Sequence, residues 1–535
     1  MRLFEKFKSI ELSSVQLIVL SSVFFVLFDN YVYFKETYNA FGDIGFCIAA
    51  GVLLFIAIST VMGLLIARSI LKPFLIVMFL LASAAAYYMA EYKTIINDKM
   101  IINIFQTTTG EVYDLLNLKL FVYILLLGVL PSIFVYLIKL KKRNLKEEFK
   151  SRLLLIVINL LLIPGLYFAY PKSWVSFFRA HKHIRMYSNP AFFTYSFVRY
   201  LQKTYLTKPM KFKHIGLDAK LMPYKKPKLI IFVVGEAARW DHFYLNGYKR
   251  NTDPYLSKLK NLIDFPSVRS CGTETAVSVP CMFSVYTRSE FSIKKARYTD
   301  NLLDILKRAG VNILWRDNDY GSKHVADRVE YEDFNDKRIK PYCTRFNCHD
   351  EVLLYGLQKW LDSLKNDKPV LIILHMKGSH GPDYYKRYPA SFEKFKPICK
   401  TNQLQNCSRQ EVVNAYDNTI LYTDKFLYDV VEFLKKNDKK YSTAMFYVSD
   451  HGESLGENGI YLHGLPYFMA PEAQKHPACF VWFSNDFGID VNCAKKLSHN
   501  KYSHDNVFYT ILGLFDIKTS IYNPKLDIFY PCRRQ

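Results

Sequence analysis

The chain has 535 residues, half of them hydrophobic, and carries 71 Lys and Arg against 48 Asp and Glu, a formal net charge of +23. That length exceeds a single core, and the apolar content excludes a disordered or fibrous chain. So basic a composition suggests nucleic acid, but the long apolar runs point instead to a surface facing anionic lipid, and no nucleic-acid partner is expected.

Five apolar runs lie near residues 14–34, 45–67, 70–90, 118–138 and 153–170. Crossing a hydrocarbon layer takes about 20 residues, so each reads as a membrane span. The first is too long, and too closely followed by others, to be a cleaved signal peptide; it reads as an uncleaved anchor. Basic residues cluster at Arg2, Lys6 and Lys8, at Arg68 and Lys72, and from Lys139 to Arg152. Loops Lys35 to Asp43 and Glu91 to Asn117 are far less basic. Positive charge stays cytoplasmic, so the N-terminus is expected inside and everything beyond the fifth span outside. A five-helix transmembrane domain is therefore expected over residues 1–170. Residues 171–226 mix aromatic and basic side chains, as in Trp174 to Arg179 and Phe192 to Val198, and read as an interfacial bridging segment.

From residue 227 to 535 short Val/Ile/Phe-rich runs alternate with helical stretches such as 301–309, 353–364 and 412–433. This predicts an α/β domain with a mostly parallel sheet flanked by helices. Three of the runs, Lys228 to Val234, Val370 to Leu374 and Ala444 to Val448, end in ligand chemistry: Glu236, then His375 to His380, then Asp450-His451. Ligands sit beyond the carboxyl ends of parallel strands, so Glu236, His380, Asp450 and His451 are expected to converge on one metal site.

Cys271 to Cys281 encloses a hydroxyl-rich loop with Thr273, Thr275 and Ser278. At a helix start, free N–H groups would favour a phosphate, and a metal beside a hydroxyl would make it a nucleophile. Spacing does not choose between Thr273 and Thr275, and capping hydroxyls are the plain alternative. Of ten cysteines, only Cys47 falls in a span. In an exported domain, the close neighbours Cys271–Cys281, Cys343–Cys348 and Cys399–Cys407 read as disulfides. Cys479, Cys493 and Cys532 remain, and Cys479–Cys493 is the expected pair.

These stretches carry a resemblance. Val234 to Arg239 with Asn246 to Tyr248, Cys271 to Ser284, Ile313 to Asn318, Gly378 to Pro382, Ala415 to Asn418, and Tyr447 to Gly459 with His463-Gly464 look like the lipid A phosphoethanolamine transferases. That family includes the mobile colistin-resistance enzymes and belongs to the alkaline phosphatase/sulfatase superfamily, which implies an alkaline-phosphatase-like fold. The resemblance implies zinc held by Glu236, Thr275, Asp450 and His451, with Thr275 as the nucleophile. It also implies His380 and His463 near the substrate and, in some relatives, at a second zinc. Glu453, Lys323 and His375 match pocket residues, His375 serving equally well as a structural group. Asn103, Thr107 and Glu111 match positions that hold the ethanolamine headgroup.

The expected enzyme is a phosphoethanolamine transferase, a monomer in the bacterial inner membrane with its catalytic domain in the periplasm. Phosphatidylethanolamine would be the donor and a lipid A phosphate the acceptor. Three rivals remain: the same transfer to a core sugar, glucan or exported protein; a zinc phosphohydrolase; and a transporter or receptor. A sulfatase would need a Cys/Ser-x-Pro-x-Arg motif, which the Thr275 loop lacks.

Overall fold

The computed structural model describes residues 10–107, 112, 115–179, 181–206, 210–334, 339–344 and 348–533. The chain divides into two compact units, one of Met1–Phe105 with Leu116–Thr207, the other of Gln106–Leu115 with Lys208–Gln535.

The first unit is helical: α1 (Ser14–Phe28), α2 (Tyr31–Phe41), α3 (Ile44–Leu65), α4 (Arg68–Tyr92), α5 (Asp98–Gln106), α6 (Leu118–Leu137) and α7 (Leu145–Ala169), then α8 (Pro171–Arg179) and α9 (Ala191–Leu201). Four helices, α3, α4, α6 and α7, are each long and apolar enough to span a membrane. The pair α1 and α2, bent by 60°, makes a fifth only if counted as one broken span. The run expected to be continuous over 14–34 therefore breaks, and polar residues are the reason. Asp29 caps α1, and the Asn30 amide donates to the carbonyls of Phe25 and Asn189. Backbone groups released at a helix break need such partners.

The basic loops meet at one end of the unit. Glu11–Leu12 pairs in parallel with Lys139–Leu140, and Ser14 bonds Glu148. Arg152 donates to the carbonyls of Gly63 and Ile66, and Lys72 to those of Tyr136 and Ile138. The cationic side chains thus cover helix C-termini, where their charge is favourable.

The second unit is built on a seven-stranded mixed sheet. Its strands are β1 (Lys228–Gly235), β2 (Leu262–Asp264), β3 (Asn312–Asp317), β4 (Glu330–Asp333), β5 (Val370–His375), β6 (Ser442–Ser449) and β7 (Cys479–Phe483). They lie in the order β2-β7-β6-β1-β5-β3-β4. The five from β6 to β4 are parallel; β7 runs antiparallel to β6, and β2 to β7. Both faces of β1 are covered, which is why its sequence is one unbroken apolar run. Ile230, Phe232 and Val234 enter one core with α11 (Leu302–Arg308) and α13 (Val507–Leu514). Leu229, Ile231 and Val233 enter the other with α12 (Arg409–Lys436). α10 (Thr275–Met282) precedes α11 and contributes Val279 and Met282 to the first core.

Register aligns the strand ends. Ser449 lies opposite Gly235, and Val234 opposite His375, so β6, β1 and β5 finish flush. β5 lies on one side of β1 and β6 on the other, which makes this edge a topological switch point.

Four disulfides form among the described residues: Cys271–Cys281, Cys343–Cys348, Cys399–Cys407 and Cys493–Cys532. The expected Cys479–Cys493 pair is not one of them. Cys479 is a free thiol inside the first core, held in strand β7, and Cys493 is bonded to Cys532 instead.

Candidate active site and metal centre

Glu236 and Asp450 follow immediately after β1 and β6, and the register sets them side by side. The Asp450 N–H donates to the Gly235 carbonyl, and Asp450 Oδ1 accepts from the N–H groups of Ala237 and His451. His451 Nδ1 lies 2.8 Å from the Gly452 carbonyl, which makes it the protonated nitrogen and leaves Nε2 with a lone pair. That Nε2 is 3.2 Å from Asp450 Oδ2 and 3.5 Å from Glu236 Oε1.

These three atoms, all buried, have no hydrogen-bond partner among the described residues. They face one another although all are acceptors. Burial pushes Glu236 well above the usual carboxylate range, and the adjacent Asp450 adds to it; burial pushes His451 down to about 3. Converging lone pairs with no donor suit a divalent cation, and a neutral imidazole with two carboxylates is a donor set zinc accepts.

Thr275 is the first residue of α10, and its hydroxyl donates to Glu236 Oε2 at 3.0 Å. Thr273 faces elsewhere: its hydroxyl donates to the Leu465 carbonyl at 2.6 Å, and its own carbonyl accepts from Gly464. Ser278 is turned back on the loop, accepting from the Gly272 N–H. The structure thus brings Thr275 to the carboxylates and uses Thr273 as a brace.

Around this centre stand two more imidazoles. The His463 ring is 4.2 Å from that of His451 and 5.6 Å from that of His380. Glu236, His380 and His463 can offer atoms close enough to share an ion, as can His451, Glu453 and His463. Glu453 is buried and doubly engaged, accepting from the Tyr384 hydroxyl and lying 2.7 Å from His463 Nδ1. That bond orients the His463 ring. His375 is placed differently. Fully buried at the end of β5, it is 3.0 Å from Asp317, which also accepts from the Trp315 indole. Lys323 donates to the Tyr320 carbonyl. Asn103 lies on α5, in the first unit, and Thr107 follows that helix; Glu111 lies outside the described residues.

Sequence reasoning assigned no role to the residues that set the turn after β1. Ala237 sits at φ +54°, a left-handed backbone rare outside glycine. Tyr416 on α12 holds it there: its hydroxyl donates to the Ala237 carbonyl at 2.6 Å and accepts from the Arg239 N–H at 2.9 Å. The next residue, Asp417, gathers Tyr248, Arg250 and His242, so two of the sequence motifs form one polar knot beneath the site. Gly378 approaches so closely that a Cβ there would lie 2.7 Å from the Glu236 carbonyl oxygen.

Two family models match the chain, one described as phosphoethanolamine transferase EptA/EptB over residues 54–205 and one as sulfatase over 228–517. Phosphoethanolamine transferase EptA of Salmonella typhimurium is 40% identical over 469 residues, 86% of this chain and 85% of the relative. The chain belongs to the EptA phosphoethanolamine transferases. Phosphatidylethanolamine transferase Mcr-1 of Escherichia coli is 38% identical over 511 residues, 93% of this chain and 94% of Mcr-1. The solved structure of the integral membrane lipooligosaccharide phosphoethanolamine transferase A from Neisseria meningitidis superposes with a TM-score of 0.95 at 36% identity, covering 98% of this chain and all of that one. This EptA-family chain is thus a multi-pass membrane enzyme whose sulfatase-like unit carries the site.

Proposed function

We propose that the chain transfers phosphoethanolamine from phosphatidylethanolamine to a phosphate of lipid A, through a covalent phosphothreonine at Thr275. One observation carries the reading: the Thr275 hydroxyl is hydrogen-bonded to a carboxylate whose other oxygen joins Asp450 and His451 in an uncompensated acceptor cluster. Glu236, Asp450, His451 and Thr275 would hold one zinc ion, which supplies Lewis acidity that acidifies the hydroxyl and stabilises negative charge on phosphoryl oxygens.

In the first step Thr275 Oγ1 attacks phosphorus while its proton moves toward Glu236 Oε2, the oxygen it already faces. The bond from phosphorus to the diacylglycerol oxygen breaks. That oxygen takes its proton from His463, oriented by Glu453, or from His380. In the second step an oxygen of a lipid A phosphate attacks the same phosphorus, and the Thr275 oxygen leaves and regains its proton. The helix N-terminus under Thr275 favours the phosphate throughout.

Four disulfides in the second unit agree with an oxidising compartment, and the clustered basic loops with a cytoplasmic face. These support an inner-membrane protein with its catalytic unit in the periplasm. Confinement to a plane shared with both lipids shortens the search for them. Mcr-1 is named for phosphatidylethanolamine and the Neisseria meningitidis relative for lipooligosaccharide, which supports the donor and the acceptor class.

Intact-mass analysis of the purified chain after incubation with phosphatidylethanolamine tests the reading. A phosphoethanolamine adduct mapping to Thr275, discharged by added lipid A, is expected. An adduct that forms but is discharged only by a glycan would reassign the acceptor, and no adduct would remove the covalent mechanism.

A further inference from the structure

Inside the first unit, α8 packs across the ends of α3 and α7. The Trp174 and Phe177 rings lie 4.8 and 6.0 Å from Phe46, near the start of α3. The Trp174 indole donates to the Leu166 carbonyl near the end of α7. Between the three helices is a slot of about 310 Å³, walled by Leu53, Ile163, Leu166, Trp174 and Phe178, with Arg179 at the end of α8. Leu53 is nine positions beyond Ile44, roughly 13 Å along a helix that rises about 1.5 Å per residue. Ile163 is six positions before Ala169, or about 9 Å by the same rise. The slot therefore runs inward from the helix ends to a depth comparable with one leaflet, about half of a ~30 Å hydrocarbon layer.

Two features define what fits. The walls are apolar, and Leu53, Ile163 and Leu166 belong to the span-length helices α3 and α7, of which α7 is the less covered by protein. A peptide would find no partners there for its backbone, whereas an acyl chain needs none. The mouth is cationic. Arg179 is exposed, no carboxylate pairs with it among the described residues, and the Arg185 guanidinium lies 5.3 Å from the centre of the Phe178 ring. Trp174 and Tyr167 line the same rim, the side chains that favour the depth of lipid headgroups.

We propose that this slot is a phospholipid site, holding one acyl chain of a glycerophospholipid whose phosphate pairs with Arg179. A slot of one chain's width beside the exposed Arg179 and Arg185 suits a glycerophospholipid better than lipid A, with its several chains. The site uses none of the residues assigned to the transfer chemistry, and it goes beyond that reading. Its physical role is to fill the gap under α8 and to fix that helix on α3 and α7.

The test uses the full chain in bilayer discs and a phosphatidylglycerol bearing a diazirine near the end of one acyl chain. That lipid carries no ethanolamine, so its binding is independent of the transferase reading. Photolabel is expected on the α3 and α7 peptides containing Leu53 and Ile163. In Arg179→Glu it should fall at least five-fold, while Arg179→Lys keeps it and Leu53→Trp, which fills the slot, removes it. A diacylglycerol with the same diazirine should not label these peptides above the rest of α7. Labelling spread evenly along α7, equal labelling in Arg179→Glu, or competition by lipid A but not by unlabelled phosphatidylglycerol would each overturn the proposal.

Discussion

Thr273 and Thr275 carry the same hydroxyl two positions apart, and their neighbours give them different work. Thr273→Ala leaves the buried Leu465 carbonyl without its donor, a cost of about 1–3 kcal/mol, and should still form the Thr275 adduct. Thr275→Ala should keep its melting temperature within a few degrees and form no adduct; mass spectrometry beside a thermal melt separates the two. Tyr416→Phe is a sharper probe of positioning. It strips one hydroxyl that serves both the Ala237 carbonyl and the Arg239 N–H, and it frees a residue held at φ +54° beside Glu236. A strained backbone persists only while its surroundings enforce it. The expected outcome is a fall in kcat of about ten-fold or more with KM nearly unchanged, since a misplacement of about 1 Å is that costly. The strand-end residues Glu236, Asp450 and His451 were legible from sequence because apolar runs announce parallel strands and ligands gather at their ends. Tyr416 was not, because it reaches the site from a helix about 180 positions away and nothing local marks its hydroxyl.

At the scale of elements, apolar runs located the central strands β1, β5 and β6 but not β2, β4 or β7 at the sheet's two sides. The short run Cys479 to Phe483, which is not among the strands expected from sequence, pairs antiparallel with β6 after the loop that carries His463 and His476. Cys479 and Cys493 both border the first core, but Cys493 is bonded to Cys532, which leaves Cys479 a buried thiol. The first apolar run reads as one helix because hydropathy averages over Asp29 and Asn30, where the Asp29 N–H and the Asn30 amide both take the Phe25 carbonyl and the helix ends. His476, just before β7, shows what the loop contributes. Its ring stacks on Trp240 at 4.5 Å and its Nε2 lies 2.8 Å from the Pro266 carbonyl, tying the turn after β1 to the loop after β2. Burial pushes its pKa down to about 4, from about 6.5 when unfolded. The folded state then binds fewer protons, so its stability is full above pH 6.5 and declines as pH falls toward 4. His476→Phe should lose stability at every pH yet show a flatter decline over that window, as read by melting temperature against pH in the full chain.

For the whole molecule, the reading turns on surface charge. An ethanolamine ammonium placed on a lipid A phosphate cancels negative charge, and cationic peptides bind an anionic surface through that charge. A susceptible bacterium expressing the intact chain should therefore show lipid A heavier by one phosphoethanolamine and a several-fold rise in the polymyxin concentration that inhibits it. Mass alone would not link the two, since membrane stress from any overexpressed spanning protein can alter susceptibility. Thr275→Ala breaks the ambiguity, for it keeps the helices, the disulfides and the charge of +23 and lacks only the hydroxyl. It should reach the membrane at wild-type levels and change neither lipid A nor polymyxin sensitivity. Asp450→Asn adds a second axis. One of its oxygens joins the acceptor cluster while the other holds the Ala237 N–H, so the variant keeps its shape and loses a charged ligand. In the purified wild type, chelation should lower the melting temperature and added zinc restore it, because an ion that binds only the folded state stabilises it by about 2.7 kcal/mol at a hundred times its dissociation constant. In Asp450→Asn that response should shrink along with resistance. Resistance surviving in either variant would mean the protection comes from the membrane unit and not from phosphoryl transfer.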